Sequence, residues 1–182
     1  PELPLARLRR YIDEFGLGAK EAAALVDERD VCFFYEACID AAKAAGVEPG
    51  KAGKAVANVL LQSGAKRANE RSSGATAGSE DVVLISDLGI TPAQVGQLVA
   101  LREAGTIGSG ALDELFGVLC APGQAAVDPA ALARERGLVI VRDDAAMDRW
   151  CDEAIAANAK AADDVRAGKD AAIGRLVGAV MK

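Results

Sequence analysis

DVCFFYEACIDAA, residues 30–42, decides the fold. Its apolar residues Val31, Phe34, Tyr35, Cys38, Ile39 and Ala42 recur at steps of three and four, which places them on one face of a helix and rules out the alternation of a strand. Asp30 stands ahead of the stripe as the expected N-cap, where a carboxylate accepts from the first unpaired N–H groups. The same period continues outward in both directions. Before it, Pro4 opens a helix bearing Leu5, Leu8, Ile12 and Phe15 that Gly16 and Gly18 stop, and a short helix through Ala22 to Val26 follows. After it, Gly46, Pro49 and Gly50 interrupt, and Val56, Val59 and Leu60 mark the next helix.

Further along, Thr91-Pro92-Ala93-Gln94 has the form of a helix start, with a threonine cap, a proline at the first position and a glutamine to complete a capping box. Ser109 is the expected cap of a helix carrying Leu112, Leu115, Phe116 and Leu119, and Asp128-Pro129 repeats the start signal before Gly137. GLVIV, residues 137–141, is β-branched but has no partner strand in view, so it reads as a connector. Met147, Trp150, Cys151, Ala154 and Ile155 share a helix face, Asn158 is a reasonable C-cap, and a short helix through Val165 ends at Gly168. Ile173, Leu176, Val177, Val180 and Met181 line the last helix. ERSSGATAGSE, residues 70–80, is too small and polar to bury much. The expectation is an all-α protein, a multi-helix bundle in two helical subdomains joined by a flexible linker. A helical domain spans 1–140, with the linker at about 70–81 inside it, and a helical tail domain begins over 141–182.

The composition narrows the chemistry. The 182 residues include no histidine, which removes Ser-His-Asp and Cys-His nucleophile sites, histidine-ligated metals and a histidine proton shuttle. Cys32, Cys38, Cys120 and Cys151 have no C-x-x-C spacing and read as small buried hydrophobes. Gly168-Lys169 is not a phosphate loop, because Asp163 stands where that motif needs glycine. Asp143-Asp144 and Asp163-Asp164 fit helix starts or solvated faces. The expectation is no catalytic residue, no metal site and no cofactor in this segment. No signal peptide opens the chain and no apolar run spans a bilayer, so a cytoplasmic protein without a membrane partner is expected. A net charge of −6 disfavours DNA or any nucleic-acid coat, so RNA contact has to be local.

Two basic clusters supply such local charge. Lys51, Lys54, Lys66, Arg67 and Arg71 face only Glu70 over 51–71, a balance of +4. Lys160, Arg166, Lys169, Arg175 and Lys182 face Asp163, Asp164 and Asp170 over 160–182, a balance of +2. These ten are the candidate anion-binding residues, although a solvated helix face explains each cluster as well. Gly168, Gly174 and Gly178 are the candidate close-packing glycines, since glycine within a helix costs roughly 1 kcal/mol and calls for a reason. Gly174 and Gly178, four apart, stack on one side and form a shallow groove for close packing on a neighbouring helix.

PELPLARLRRYIDEFGL (1–17), ITPAQVGQLVALREAGTI (90–107) and NAKAADDVRAGKDAAIGRLVGAVMK (158–182), in that order, resemble the C-terminal region of the GatB subunit of the bacterial aspartyl/glutamyl-tRNA amidotransferases, the GatB/YqeY family. RAGK with LVGAVMK, and the spacing between EAGTI and GLVIV, are the most specific elements; 62–84 is the weakest. The resemblance implies part of an enzyme that phosphorylates and amidates glutamate or aspartate mischarged on tRNA. Its chemistry, with ATP and Mg, belongs to an N-terminal cradle expected to precede Pro1, and subunits A and C are the implied partners. Gly168, Lys169, Gly178, Met181 and Lys182 match the tail signature. The chain departs from the family at TIGSG (106–110), which lacks a lysine, at Asn58-Val59 in place of Asn-Trp, and at Ala159 and Val165. It also ends before the family's last tail helix. A tRNA-positioning region is the function implied, with the ten cations above as candidate contacts. A helical interaction domain that holds the cradle or a partner subunit without touching RNA is the alternative.

Overall fold

Helix α3 (Arg29–Ala44) runs where the apolar stripe places it and buries Val31, Cys32, Tyr35, Cys38, Ile39 and Ala42. Its N-cap is Glu28 rather than Asp30, which instead lies in the first turn, where its charge still opposes the positive end of the helix dipole. The computed structural model describes residues 2–74, 82–140 and 144–180. The regular elements among them are all helical, with no strand, and the chain divides into two compact units, 1–140 and 141–182.

In the first unit, α1 (Pro4–Phe15) and α2 (Ala19–Val26) precede α3, and α4 (Pro49–Val59) passes through a π turn at Leu60–Gly64 into α5 (Ala65–Gly74). Then come α6 (Pro92–Glu103), α7 (Ser109–Leu119) and α8 (Pro129–Glu135). The most extensive pairing is α3 with α6. Gly96 permits it, since a Cβ there would come within 2.6 Å of the Ala41 carbonyl carbon and the Ala42 nitrogen. Gly53 plays the same part for α1 and α4, where a Cβ would lie 2.5 Å from Cγ of Phe15. The Tyr11 and Tyr35 rings meet edge to face at 5.0 Å, and the Tyr35 hydroxyl donates to the Gly53 carbonyl at 2.9 Å, tying α1, α3 and α4 together. Tyr35, Leu60, Leu88, Leu98 and Phe116 are fully buried, each worth about 1.5–3 kcal/mol in apolar burial.

The helix starts follow the sequence signals closely. Thr91 Oγ1 accepts from the Gln94 N–H and the Gln94 side chain accepts from the Thr91 N–H, completing the capping box. Asp128 accepts from the Ala130 and Ala131 N–H groups. Helix α7 is capped by Gly108, with Ser109 one place inside. The connector GLVIV is pinned rather than free: Ile107 and Val139 form an antiparallel bridge, and the Ile140 N–H donates to the Thr106 carbonyl at 2.8 Å. The flexible reading of 70–81 does not hold for 70–74, which complete α5. Arg71 donates to the Leu88 and Cys120 carbonyls and Ser72 Oγ accepts from the Val83 N–H, so this end of the helix is fastened down. Residues 75–81 lie outside the described residues.

In the second unit, α9 (Asp144–Ala157), α10 (Ala159–Arg166) and α11 (Ile173–Val180) contact one another. Asn158 caps the end of α9, its side-chain amide donating to the Ala154 carbonyl. The buried side chains described here are the alanines 154, 161 and 162, while Trp150, Ile155, Ile173 and Val177 are exposed. Gly168 has φ +83° and makes the turn after α10. A Cβ at Gly174 or Gly178 would meet nothing within 4 Å. The close packing expected of these three glycines is therefore absent among the described residues; Gly53 and Gly96 fill that role in the first unit.

Candidate functional site

The charged residues of α4 and α5 meet acids that a count along the chain cannot see. Lys51 Nζ lies 2.7 Å from Glu48, one turn before it. Lys54 Nζ lies 2.6 Å from Glu21 Oε2 on α2, and with the Gly18 N–H it holds that carboxyl below its ordinary range. Lys66 and Arg67 both reach Asp113 on α7, at 3.2 and 2.7 Å. Arg67 donates as well to the Ser63 and Asp113 carbonyls, and its guanidinium stands 5.5 Å over the Phe116 ring. Arg71 serves two carbonyls, as above. The +4 of 51–71 is thus largely spent on holding the first unit together. Asp113, accepting from Arg67, Ser63 and Lys66, is held far below the usual carboxylate range, the Arg67 hydrogen bond contributing most.

A cleft of about 360 Å³ opens beside this network, walled by Asn58, Gln62 and Lys66 on one side and by Arg102 and Ser109 on the other. Arg102 Nη2 donates to Ser109 Oγ at 2.7 Å, joining the end of α6 to the start of α7. Asn58, Gln62, Arg102 and Asp113 line this cleft without belonging to either basic cluster's set of cations. No local motif marks them, since they come from four separate turns of chain; only the unusual Asn58-Val59 and TIGSG stretches fall on the same cleft.

In the second unit, Arg166 pairs with Asp163 at 2.9 Å and Lys169 with Asp164 at 2.9 Å. Lys169 and Arg175 line a hollow of about 260 Å³. Lys160 and Arg175 are exposed and have no ion-pair partner among the described residues. Lys182 and Met181 lie outside the described residues. The four cysteines are free; Cys32, Cys38 and Cys120 are buried and Cys151 is half-buried, with burial pushing the Cys38 thiol up. Among the described residues no group of three or more acids or cysteines converges in a way that holds a metal ion, and no helix is long and apolar enough to cross a membrane.

Residues 44–182 match the GatB domain family, GatB/YqeY. The chain is 38% identical over 180 residues to the GatB subunit of the aspartyl/glutamyl-tRNA(Asn/Gln) amidotransferase of Thermomicrobium roseum, covering 99% of this chain and 33% of that protein. It is 39% identical over 183 residues to the same subunit of Thermobifida fusca, covering 100% of this chain and 31% of the relative. The Bdellovibrio bacteriovorus relative of the same name is 34% identical over 183 residues, covering 100% and 34%. The chain spans about a third of the length of the curated relatives it matches.

Proposed function

The chain belongs to the GatB domain family, and from that membership we propose that it is the tRNA-binding and positioning region of an amidotransferase GatB subunit. The reaction converts Glu-tRNA(Gln) or Asp-tRNA(Asn) to the amidated form. On this reading the segment binds the tRNA body while the acyl end is activated and amidated by parts of the protein outside this segment. ATP and magnesium act there. On this reading what this segment does is bind and orient. Subunits A and C are its partners through the whole protein, and the cytoplasm is its place.

Similarity along nearly the whole chain to proteins named for this reaction carries the proposal. Of the ten candidate cations, Lys160 and Arg175 stay unpaired for phosphate among the described residues, with Lys169 and the exposed lysines 51 and 66 adding long-range charge. Anisotropy titrations of transcribed tRNA(Gln) and tRNA(Asn) from about 20 to about 200 mM salt test it: affinity falls steeply with salt because each neutralised phosphate releases counterion. Lys160→Ala/Arg175→Ala lowers the slope of log K against log salt by about 2. No binding at low salt to either tRNA rejects the reading.

A second reading, an interaction domain without RNA contact, is favoured by the ion pairing of Lys51, Lys54, Lys66 and Arg67 and by the exposed Leu3, Leu5 and Phe33. Crosslinking in the assembled complex separates the two, since this reading gives protein crosslinks only.

A further inference from the structure

We infer that the cleft between α4–α5 and the α6–α7 junction holds a single unpaired nucleotide of the bound RNA. This rests on the tRNA-positioning reading and adds a ligand site to it. At about 360 Å³ the cleft lies at the low end of the range for small-molecule sites, roughly 300–1,000 Å³, which suits one nucleotide and not a duplex.

Its chemistry favours a base edge. Asn58 and Gln62 are four apart and therefore share a helix face. Both are exposed, and neither side-chain amide makes a hydrogen bond among the described residues. Each offers a donor and an acceptor side by side, the pattern that pairs with a heterocyclic edge. The winding between and beyond them is the π turn at Leu60–Gly64, a deformation frequent at functional sites, which buries Leu60, Ser63 and Gly64 and leaves Gln62 on its exposed side. Val59 and Leu112 supply apolar floor for the face of a base.

Charge agrees with this. Asp113 borders the cleft, but Ser63, Lys66 and Arg67 already donate to it, so its repulsion of a phosphate is offset. Arg102 commits one nitrogen to Ser109 and keeps its other donors. Glu103 is the one acid of the lining with no ion pair or hydrogen bond from its side chain among the described residues, and it keeps phosphate to the Lys66 and Arg102 side. Base edges inside a helix are already paired or stacked, so the occupant is a nucleotide from a loop or bulge.

The test uses the chain with transcribed tRNA(Gln) and tRNA(Asn), by anisotropy and by nucleotide-resolution chemical footprinting. Asn58→Ala/Gln62→Ala removes two neutral side chains that bond nothing in the protein, so its thermal midpoint stays at the wild-type value. Its affinity is expected to fall about tenfold, with the salt slope unchanged, because neither amide neutralises a phosphate. One non-helical nucleotide protected by the wild type loses that protection in the variant. Equal affinity and an equal footprint for the variant, with wild type binding normally, overturn the cleft site while leaving the tRNA reading intact. Absence of wild-type binding removes both.

Discussion

Arg67 and Lys66 are neighbours that share one carboxylate, yet their environments assign them different work. Arg67 is 14% exposed and donates to Asp113 and to two carbonyls, whereas Lys66 is 56% exposed and touches Asp113 alone. Arg67→Ala removes the shared donor of the Asp113 carboxylate and of the Ser63 and Asp113 carbonyls, together with the stacking over Phe116, and is expected to cost about 2 kcal/mol in urea unfolding, while Lys66→Ala costs at most about 0.5 kcal/mol. Asp113 carries the matching pH dependence. Its carboxyl titrates below the ordinary 3.8 in the folded chain, so the pair stabilises fully above about pH 4. That contribution is lost as pH falls toward the folded value, because the unfolded chain takes up a proton that the folded chain refuses. Asp113→Asn is expected to lower stability at neutral pH by about 1 kcal/mol after solvent screening, and to flatten the decline below about pH 4 in an acid-unfolding series. None of this is legible along the chain. Arg67 and Asp113 are 46 residues apart, so a window over 51–71 counts the cation and misses its acid.

Among the elements, those whose signals are local could be read and those that depend on a neighbour could not. Thr91, Pro92 and Gln94 sit within one turn, and the cap they predict is the cap that forms. Nothing in Leu60 to Gly64 announces a π turn, because each residue there is compatible with regular winding. Glycines show the same division. Gly174 and Gly178 attract notice by spacing yet face open space, while Gly96 attracts none and stands against the backbone of α3. Gly96→Ala is expected to destabilise by about 2 kcal/mol in urea unfolding, through forced separation of α3 and α6. Gly174→Ala has room and removes backbone freedom from the unfolded chain, so it is expected to stabilise α11 by about 0.5–1 kcal/mol, read as slower amide exchange over 173–180.

For the molecule as a whole, the two units have unequal cores. The first buries Tyr35, Leu60, Leu88, Leu98 and Phe116; the described buried side chains of the second are three alanines. Amide exchange is expected to leave 144–180 the less protected, by about tenfold or more relative to α3 and α6, in native-state hydrogen exchange of the chain. The all-helical class and the family were both readable, the first from period and the second from the order of three segments. The use of Lys54, Lys66, Arg67 and Arg71 as internal fasteners was not, since it arises only when distant helices meet. The π turn carries a last consequence, one of indexing. It holds a residue more than regular winding needs, so deletion of Gln62 is absorbed by the return to regular winding and leaves the helix downstream nearly in register. Arg67 and Arg71 would still reach Asp113 and the Cys120 carbonyl, as taking up slack in a rope leaves both of its knots where they were tied.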